Sequence, residues 1–227
     1  MESSKTILES WQANANAWIK TIEGQEIESR NLVTNQAIID TILSYDFENM
    51  VDIGCGEGWL CRTLRNKGIN CFGIDAVSSL VEHAISKDGP YYTVGSYKEI
   101  AEGNIIQPDQ FDAAVINFAL IDKEETEALV NKLPYILKHK GYLFVQTLHP
   151  FSVAEGGDYE SGWRDGSWSG MKQDFILPYK WYFRTVGDWI QLFITSSFSI
   201  QEIREPVHPV TRKPASIIFV LQNSFSI

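Results

Sequence analysis

Along residues 5–45, apolar positions recur at helical spacing, as in Leu32, Val33, Ile38, Ile39, Ile42 and Leu43, with polar residues between them. That spacing predicts two helices with a break near Gly24. From residue 47 the pattern changes to short apolar runs alternating with helical stretches. "MVDI" reads as a strand, "WLCRTLRNKG" as a helix closed by its glycine, "INCFGID" as a strand and "VSSLVEHAISKDG" as a second glycine-closed helix. The series continues with "YYTVG", a short helix near 97–102, "FDAAVINFAL" as a buried strand, "KEETEALVNKLPYILKHKG" as a helix that Pro134 kinks or restarts, and "YLFVQTLHP" as a strand. Such alternation implies a parallel sheet with helices on both faces.

The regularity stops at residue 151. Residues 151–190 hold ten aromatic residues, twice the chain's average density, and five glycines fall between 156 and 170. A segment of that length without a pattern of its own reads as a lid, proper to 151–186. The competing reading is cover for a sheet edge or a dimer contact. Beyond it come a helix near 186–196 and two strands, "FSIQEI" and "ASIIFVLQN", joined by a long extended connection carrying Pro206, Pro209 and Pro214.

A length of 227 residues with 44% hydrophobic content fits a single domain with a continuous core. Its parts are an N-terminal helical cap (1–46), a core (47–150), the aromatic lid (151–186) and a C-terminal helix with strands (187–227). A net charge of −10 argues against nucleic acid as a partner, because phosphate-backbone affinity comes from clustered Lys and Arg. Cys55, Cys61 and Cys71 form no CxxC pair, so neither a metal site nor a disulfide framework is expected. The start has no signal-peptide pattern and no stretch reaches membrane-span length, so a cytoplasmic protein is expected, as a monomer or homodimer.

The chemistry-bearing stretch is "VDIGCGEGWL", residues 51–60. Gly54, Gly56 and Gly58 allow a ligand close to the backbone where a strand turns into a helix. Trp59 stands where a dinucleotide fingerprint wants its third glycine, which weakens a nicotinamide reading. Asp52, inside the strand, suits loop amides or an ammonium group better than a pyrophosphate. Asp75 ends the next strand, where a carboxylate accepts both hydroxyls of a ribose; alternatively it is a helix N-cap.

With "GIDA", "FDAAVINFAL" and "LKHKGYLFVQTLHP" following in order, the sequence resembles class I S-adenosylmethionine-dependent methyltransferases of the small-molecule type. The resemblance implies an α/β, Rossmann-like, doubly wound seven-stranded sheet, mostly parallel with an antiparallel C-terminal strand, "ASIIFVLQN" being the candidate. It also implies S-adenosylmethionine as cofactor and S-adenosylhomocysteine as product. Asp52, Gly54 and Gly56, with Cys55 between them, would surround the methionine part, and Asp75 would take the ribose hydroxyls. Ala76 and Val77 would lie near the adenine, with Ser96 and Tyr97 where many relatives place an acidic residue. Asn117, followed by Phe118, would pass its backbone near the methyl group.

The acceptor side is read from the residues themselves. His149, at the end of a central strand, is the candidate base or a plain loop histidine. Arg30 is an anion clamp or an exposed helix charge. Trp163, Trp181, Tyr182 and Arg184 are candidate substrate contacts, Arg184 for an acidic or planar molecule. Trp11 and Trp18, seven apart, are expected to pack against the domain. The rival functions are a nicotinamide oxidoreductase, a non-catalytic S-adenosylmethionine-binding protein and an RNA methyltransferase, the last opposed by the charge balance.

Overall fold

The computed structural model describes residues 2–107, 110–154 and 157–225. Helix α1 spans Glu2–Glu23, and a π-helical turn, Arg30–Thr34, runs directly into α2, Asn35–Leu43. The break near Gly24 is present; the π turn has no signature in apolar spacing. The alternating region follows as β1 (Asn49–Ile53), α3 (Trp59–Arg65), β2 (Asn70–Asp75), α4 (Ser78–Asp88), β3 (Tyr92–Val94), α5 (Tyr97–Ala101), β4 (Phe111–Asn117), α6 (Glu124–Ile136) and β5 (Leu137–Leu148). After α7 (Pro150–Val153) come β6 (Gly162–Asp165), β7 (Lys180–Phe183), α8 (Val186–Thr195), β8 (Phe198–Arg204) and β9 (Ser216–Asn223).

Seven strands form one sheet in the order β3-β2-β1-β4-β5-β9-β8. The first five are parallel, and β9 inserts antiparallel between β5 and β8. The side-chain period of two sends alternate residues to opposite cores. Val51, Ile53, Ala114, Ile116, Leu143 and Val145 pack on one face with Leu129 and Leu133 of α6 and Phe193 of α8. Met50, Ala113, Val115 and Phe144 pack on the other with Ile38 and Ile42 of α2 and Leu60 and Leu64 of α3. Asp52 belongs by parity to this second face, which is why a carboxylate ends up beneath α3 at 1% exposure.

Two expectations are corrected here. Pro134 does not restart a helix: α6 runs through it and ends at Ile136, and residues 137–140 are already strand. Asn223 Nδ2 donates to the carbonyls of Pro134 and Leu137, closing the helix from β9. The aromatic segment is also more ordered than a loop, because β6 and β7 form an antiparallel hairpin pairing Trp163 with Tyr182 and Arg164 with Trp181. Residues 155 and 156 of that segment lie outside the described residues. Among those described, no helix is long and apolar enough to cross a membrane.

Candidate active site

The strand order reverses between β1 and β4, and in open parallel sheets the crevice at such a reversal, beyond the carboxyl ends of the strands, receives the ligand. A cavity of about 510 Å³ opens there. Asp52, Gly54, Cys55 and Gly56 line it from β1 and its turn, Asp75 and Ala76 from β2, Ser96 and Tyr97 from α5, and Asn117 and Phe118 from the end of β4.

The turn is fastened to β2. Gly54 N–H and Cys55 N–H donate to the Ile74 carbonyl at 2.7 and 3.0 Å, and Gly56 N–H donates to Asp75 Oδ2 at 2.8 Å. Asp75 Oδ1 accepts from Val77 N–H at 2.9 Å, so each oxygen keeps a lone pair for a ligand, and α4 takes Val77, not Asp75, as its N-cap. Loop amides are therefore held by Asp75 and Ile74, and not by Asp52. Gly54 has φ +78°, and a Cβ there would sit 2.5 Å from Ala119 Cβ and 3.1 Å from the Tyr97 hydroxyl. Only glycine fits. Tyr97 donates that hydroxyl to the Ala119 carbonyl, and the Ser96 hydroxyl caps α5 with Glu99. Both line the cavity with their polar groups already engaged.

The electrostatics favour a cation. Asp52 Oδ1, Glu57 Oε1 and Asn117 Oδ1 are buried oxygens with no hydrogen-bond partner, and all three residues line this cavity. Burial pushes the Asp52 carboxyl up to about 7, against the hydrogen bond from Cys61 and reinforced by the charges of Asp75 and Glu57. Asp75 is raised by burial too, opposed by its two backbone donors, and burial lifts the Cys55 thiol well above its ordinary value. A pyrophosphate would meet acids and amides already spent. S-adenosylmethionine, with a sulfonium, an ammonium and a ribose, matches these unsatisfied acceptors.

A second cavity, of about 340 Å³, shares Trp11, Trp18, Arg30, Phe118 and Ile121 with the first. The aromatic segment contributes Trp168, Tyr179, Trp181 and Tyr182 to its wall. Phe118, with φ +56°, stands at the junction, its N–H held by the Gln146 carbonyl at 2.8 Å. Arg30, the first residue of the π turn, is 9% exposed, and its guanidinium carbon lies 5.8 Å from the Trp18 ring centroid and 5.1 Å from that of Trp59. Burial lowers its pKa to about 10, opposed by the charge of Glu57, so it stays protonated at neutral pH. Gln146 Nε2 fixes the far end of the turn by donating to the Thr34 carbonyl at 3.1 Å.

The aromatic segment is fastened onto α1. Asn14, buried on that helix, donates Nδ2 to the Leu177 carbonyl at 2.7 Å and accepts from Ile176 N–H at 2.7 Å. Ser10 Oγ donates to the same carbonyl at 2.8 Å, as does Trp168 Nε1.

Three acceptor-side expectations change. His149 lines neither cavity; its Nε2 pairs with Glu205 Oε1 at 2.7 Å, because the strand ends at Leu148 and residue 149 turns toward the β8–β9 connection. Trp163, 38% exposed, packs edge-on against its cross-strand partner Tyr182 and lines neither cavity itself. Arg184 reaches the second cavity but spends its guanidinium on the carbonyls of Asp122 and Lys123 and on Glu127 Oε1, at 3.0–3.3 Å, tying β7 to the start of α6. Conversely, Trp11 and Trp18 are cavity walls, and Glu57, Thr34 and Asn14 were not singled out by any motif.

The chain matches a methyltransferase-domain family over residues 24–203. It is 28% identical over 117 residues to the ubiquinone biosynthesis O-methyltransferase of Bartonella quintana (strain Toulouse), which covers 48% of this chain and 46% of that protein. The corresponding protein of Chelativorans sp. (strain BNC1) is 28% identical over 105 residues, 44% of this chain and 40% of its own. The chain thus spans about half the length of the curated relatives it matches. In fold it is similar to an S-adenosylmethionine-dependent methyltransferase from Mesorhizobium loti, with TM-score 0.63 at 20% identity over 82% of this chain and 96% of that one. One from Clostridium acetobutylicum superimposes with TM-score 0.63 at 13% identity over 93% and 99%. With the family match spanning most of the sequence and the glycine turn, Asp52 and Asp75 arranged as above, the chain belongs to the methyltransferase-domain family and carries an S-adenosylmethionine-dependent methyltransferase domain.

Proposed function

We propose that this protein methylates a small organic molecule, at oxygen, using S-adenosylmethionine. The observation that carries the reading is the shared wall: two cavities meet at Trp18, Arg30 and Phe118, so a cofactor in one and an acceptor in the other come together out of water. The cofactor supplies an electrophilic methyl group on a sulfonium. Asp52 and Glu57 favour the positive charges, Asp75 receives the ribose hydroxyls, and Ala76, Val77, Ser96 and Tyr97 wall the adenine. Asn117 and Phe118 carry backbone to the junction, while Trp181 and Tyr182 enclose the acceptor. Good alignment in a closed pocket contributes about 7–11 kcal/mol to a displacement of this kind. Oxygen is favoured because the curated relatives are O-methyltransferases.

The test is isothermal titration with S-adenosylhomocysteine. Wild type is expected to bind it and Asp75→Asn to lose about tenfold or more, the weight of one charge-assisted hydrogen-bond pair. Absence of binding, or unchanged affinity in the variant, refutes the assignment.

A further inference from the structure

The polar atoms left unpartnered around the two cavities differ in kind. Asp52, Glu57 and Asn117, whose unpartnered atoms are oxygens, line the first cavity and not the second. Arg30 Nη2, Trp11 Nε1 and Thr34 Oγ1 are also buried without a partner, and every one of them can donate. Arg30 and Trp11 stand at the junction, and Thr34 lines the second cavity alone. A buried donor without an acceptor is destabilising, so these sites are satisfied when a ligand supplies oxygen.

The same cavity is poor in bases. Among the described residues lining it there is no histidine, cysteine, lysine or glutamate. Its carboxylate, Asp165, sits at the rim with an 88% exposed side chain, 3.6 Å from Lys180 Nζ. Burial raises the Tyr179 phenol above its ordinary value, and the Tyr182 ring lies 4.7 Å from the Arg184 guanidinium. A phenol, alcohol or ammonium acceptor held in this cavity would keep a proton that none of its buried lining residues is a base to take, the nearest carboxylates, Asp52 and Glu57, lining the cofactor cavity instead. A carboxylate would arrive already deprotonated.

We propose that the methyl acceptor is a carboxylic acid, its carboxylate received by Arg30, Thr34 and Trp11 at the junction of the two cavities, and that the product is its methyl ester. This rests on the methyl-transfer reading above. One carboxylate oxygen forms the new bond to the methyl carbon as the carbon–sulfur bond of the sulfonium breaks. The electron pair of that bond stays on sulfur, neutral S-adenosylhomocysteine is released, and no proton is taken up or given off. Arg30, pinned between Trp18 and Trp59, holds the other oxygen and thereby selects acids.

The proposal is tested with matched probes, phenylacetate and indole-3-acetate against their neutral amides, titrated by tryptophan fluorescence in the presence of S-adenosylhomocysteine. Each acid is expected to bind about tenfold tighter than its amide. Arg30→Gln is expected to bring the pair within about twofold while leaving affinity for S-adenosylhomocysteine alone within about threefold. Thr34→Val, which removes a hydroxyl with no partner and so keeps the fold, is expected to erode the acid preference by about threefold or more. With S-adenosylmethionine, the wild type should convert the acids, and not the amides, to products heavier by one methyl group. Equal binding of acid and amide, binding of neither, or no change in Thr34→Val overturns the proposal. A loss of about tenfold or more in S-adenosylhomocysteine affinity in Arg30→Gln also overturns it, by assigning the guanidinium to the cofactor's own carboxylate. Failure of the wild type to bind S-adenosylhomocysteine at all sinks the methyl-transfer reading instead, and this inference with it.

Discussion

Replacing Asp52 by Asn separates what the cofactor site costs the free protein from what it gives the complex. Asp52 is sealed beneath α3, with the Cys61 thiol 3.5 Å from Oδ2 and nothing on Oδ1. Burial raises its pKa from 3.8 to about 7; at about 1.4 kcal/mol per pH unit, ionising it in the fold costs about 4 kcal/mol. Because the folded pKa is the higher one, the unfolded chain releases the proton first. Stability therefore falls as pH rises from about 4 and levels off above about 7. Asn has nearly the same shape and does not titrate. In urea unfolding of the unliganded protein, Asp52→Asn should gain on wild type by about 3 kcal/mol between pH 5 and pH 8, the part of that window lying between 5 and 7. Subtracting the two curves cancels all other titrating groups. Binding of cationic S-adenosylmethionine should reverse the ranking, weakening in the variant and releasing a proton from wild type near pH 6.5, seen as a buffer-dependent heat. Parallel stability curves from pH 5 to 8 would refute the account of Asp52 as a strained, unpaired carboxylate.

Two further substitutions probe the acceptor side. His149→Gln should keep turnover within about twofold, whereas loss of a general base costs about a hundredfold or more; comparing kcat of the two proteins decides. Asn14→Ala removes that side chain's bonds to Ile176 and Leu177, worth about 2 kcal/mol together, and leaves the one from Ser10, so hydrogen exchange at residues 175–179 should speed up about thirtyfold with the sheet strands unaffected.

The core sheet was legible in the sequence because parallel strands buried on both faces must be short apolar runs, as in "MVDI" and "AAVI", and glycines after residues 67 and 88 mark where helices stop. The glycine turn with Asp52 and Asp75 was legible because a backbone bend and two acids at strand ends leave a signature of spacing. What periodicity reports is that a face is covered, not by what. Trp11 and Trp18 were read as packing residues and do pack against Ala15, Ile19, Val77 and Leu80, but periodicity could not show that they also wall both cavities. His149 shows the reverse error: a position one residue past a strand end does not fix the direction of the side chain, and the β8–β9 connection, far along the chain, supplies its partner. Arg184 looked free among aromatics, and only the fold brings the carbonyls of residues 122 and 123 to it.

The π-helical turn at Arg30–Thr34 inserts one extra residue per hydrogen-bonded loop, which rotates everything before it by roughly 100° relative to a regular helix. Arg30 and Thr34 can thus line the second cavity while Ile38, Ile39 and Ile42 continue to face the sheet. Cavity wall and scaffold are set separately within one helical stretch: a side chain at Arg30 or Thr34 can be exchanged without disturbing the phase that anchors α2.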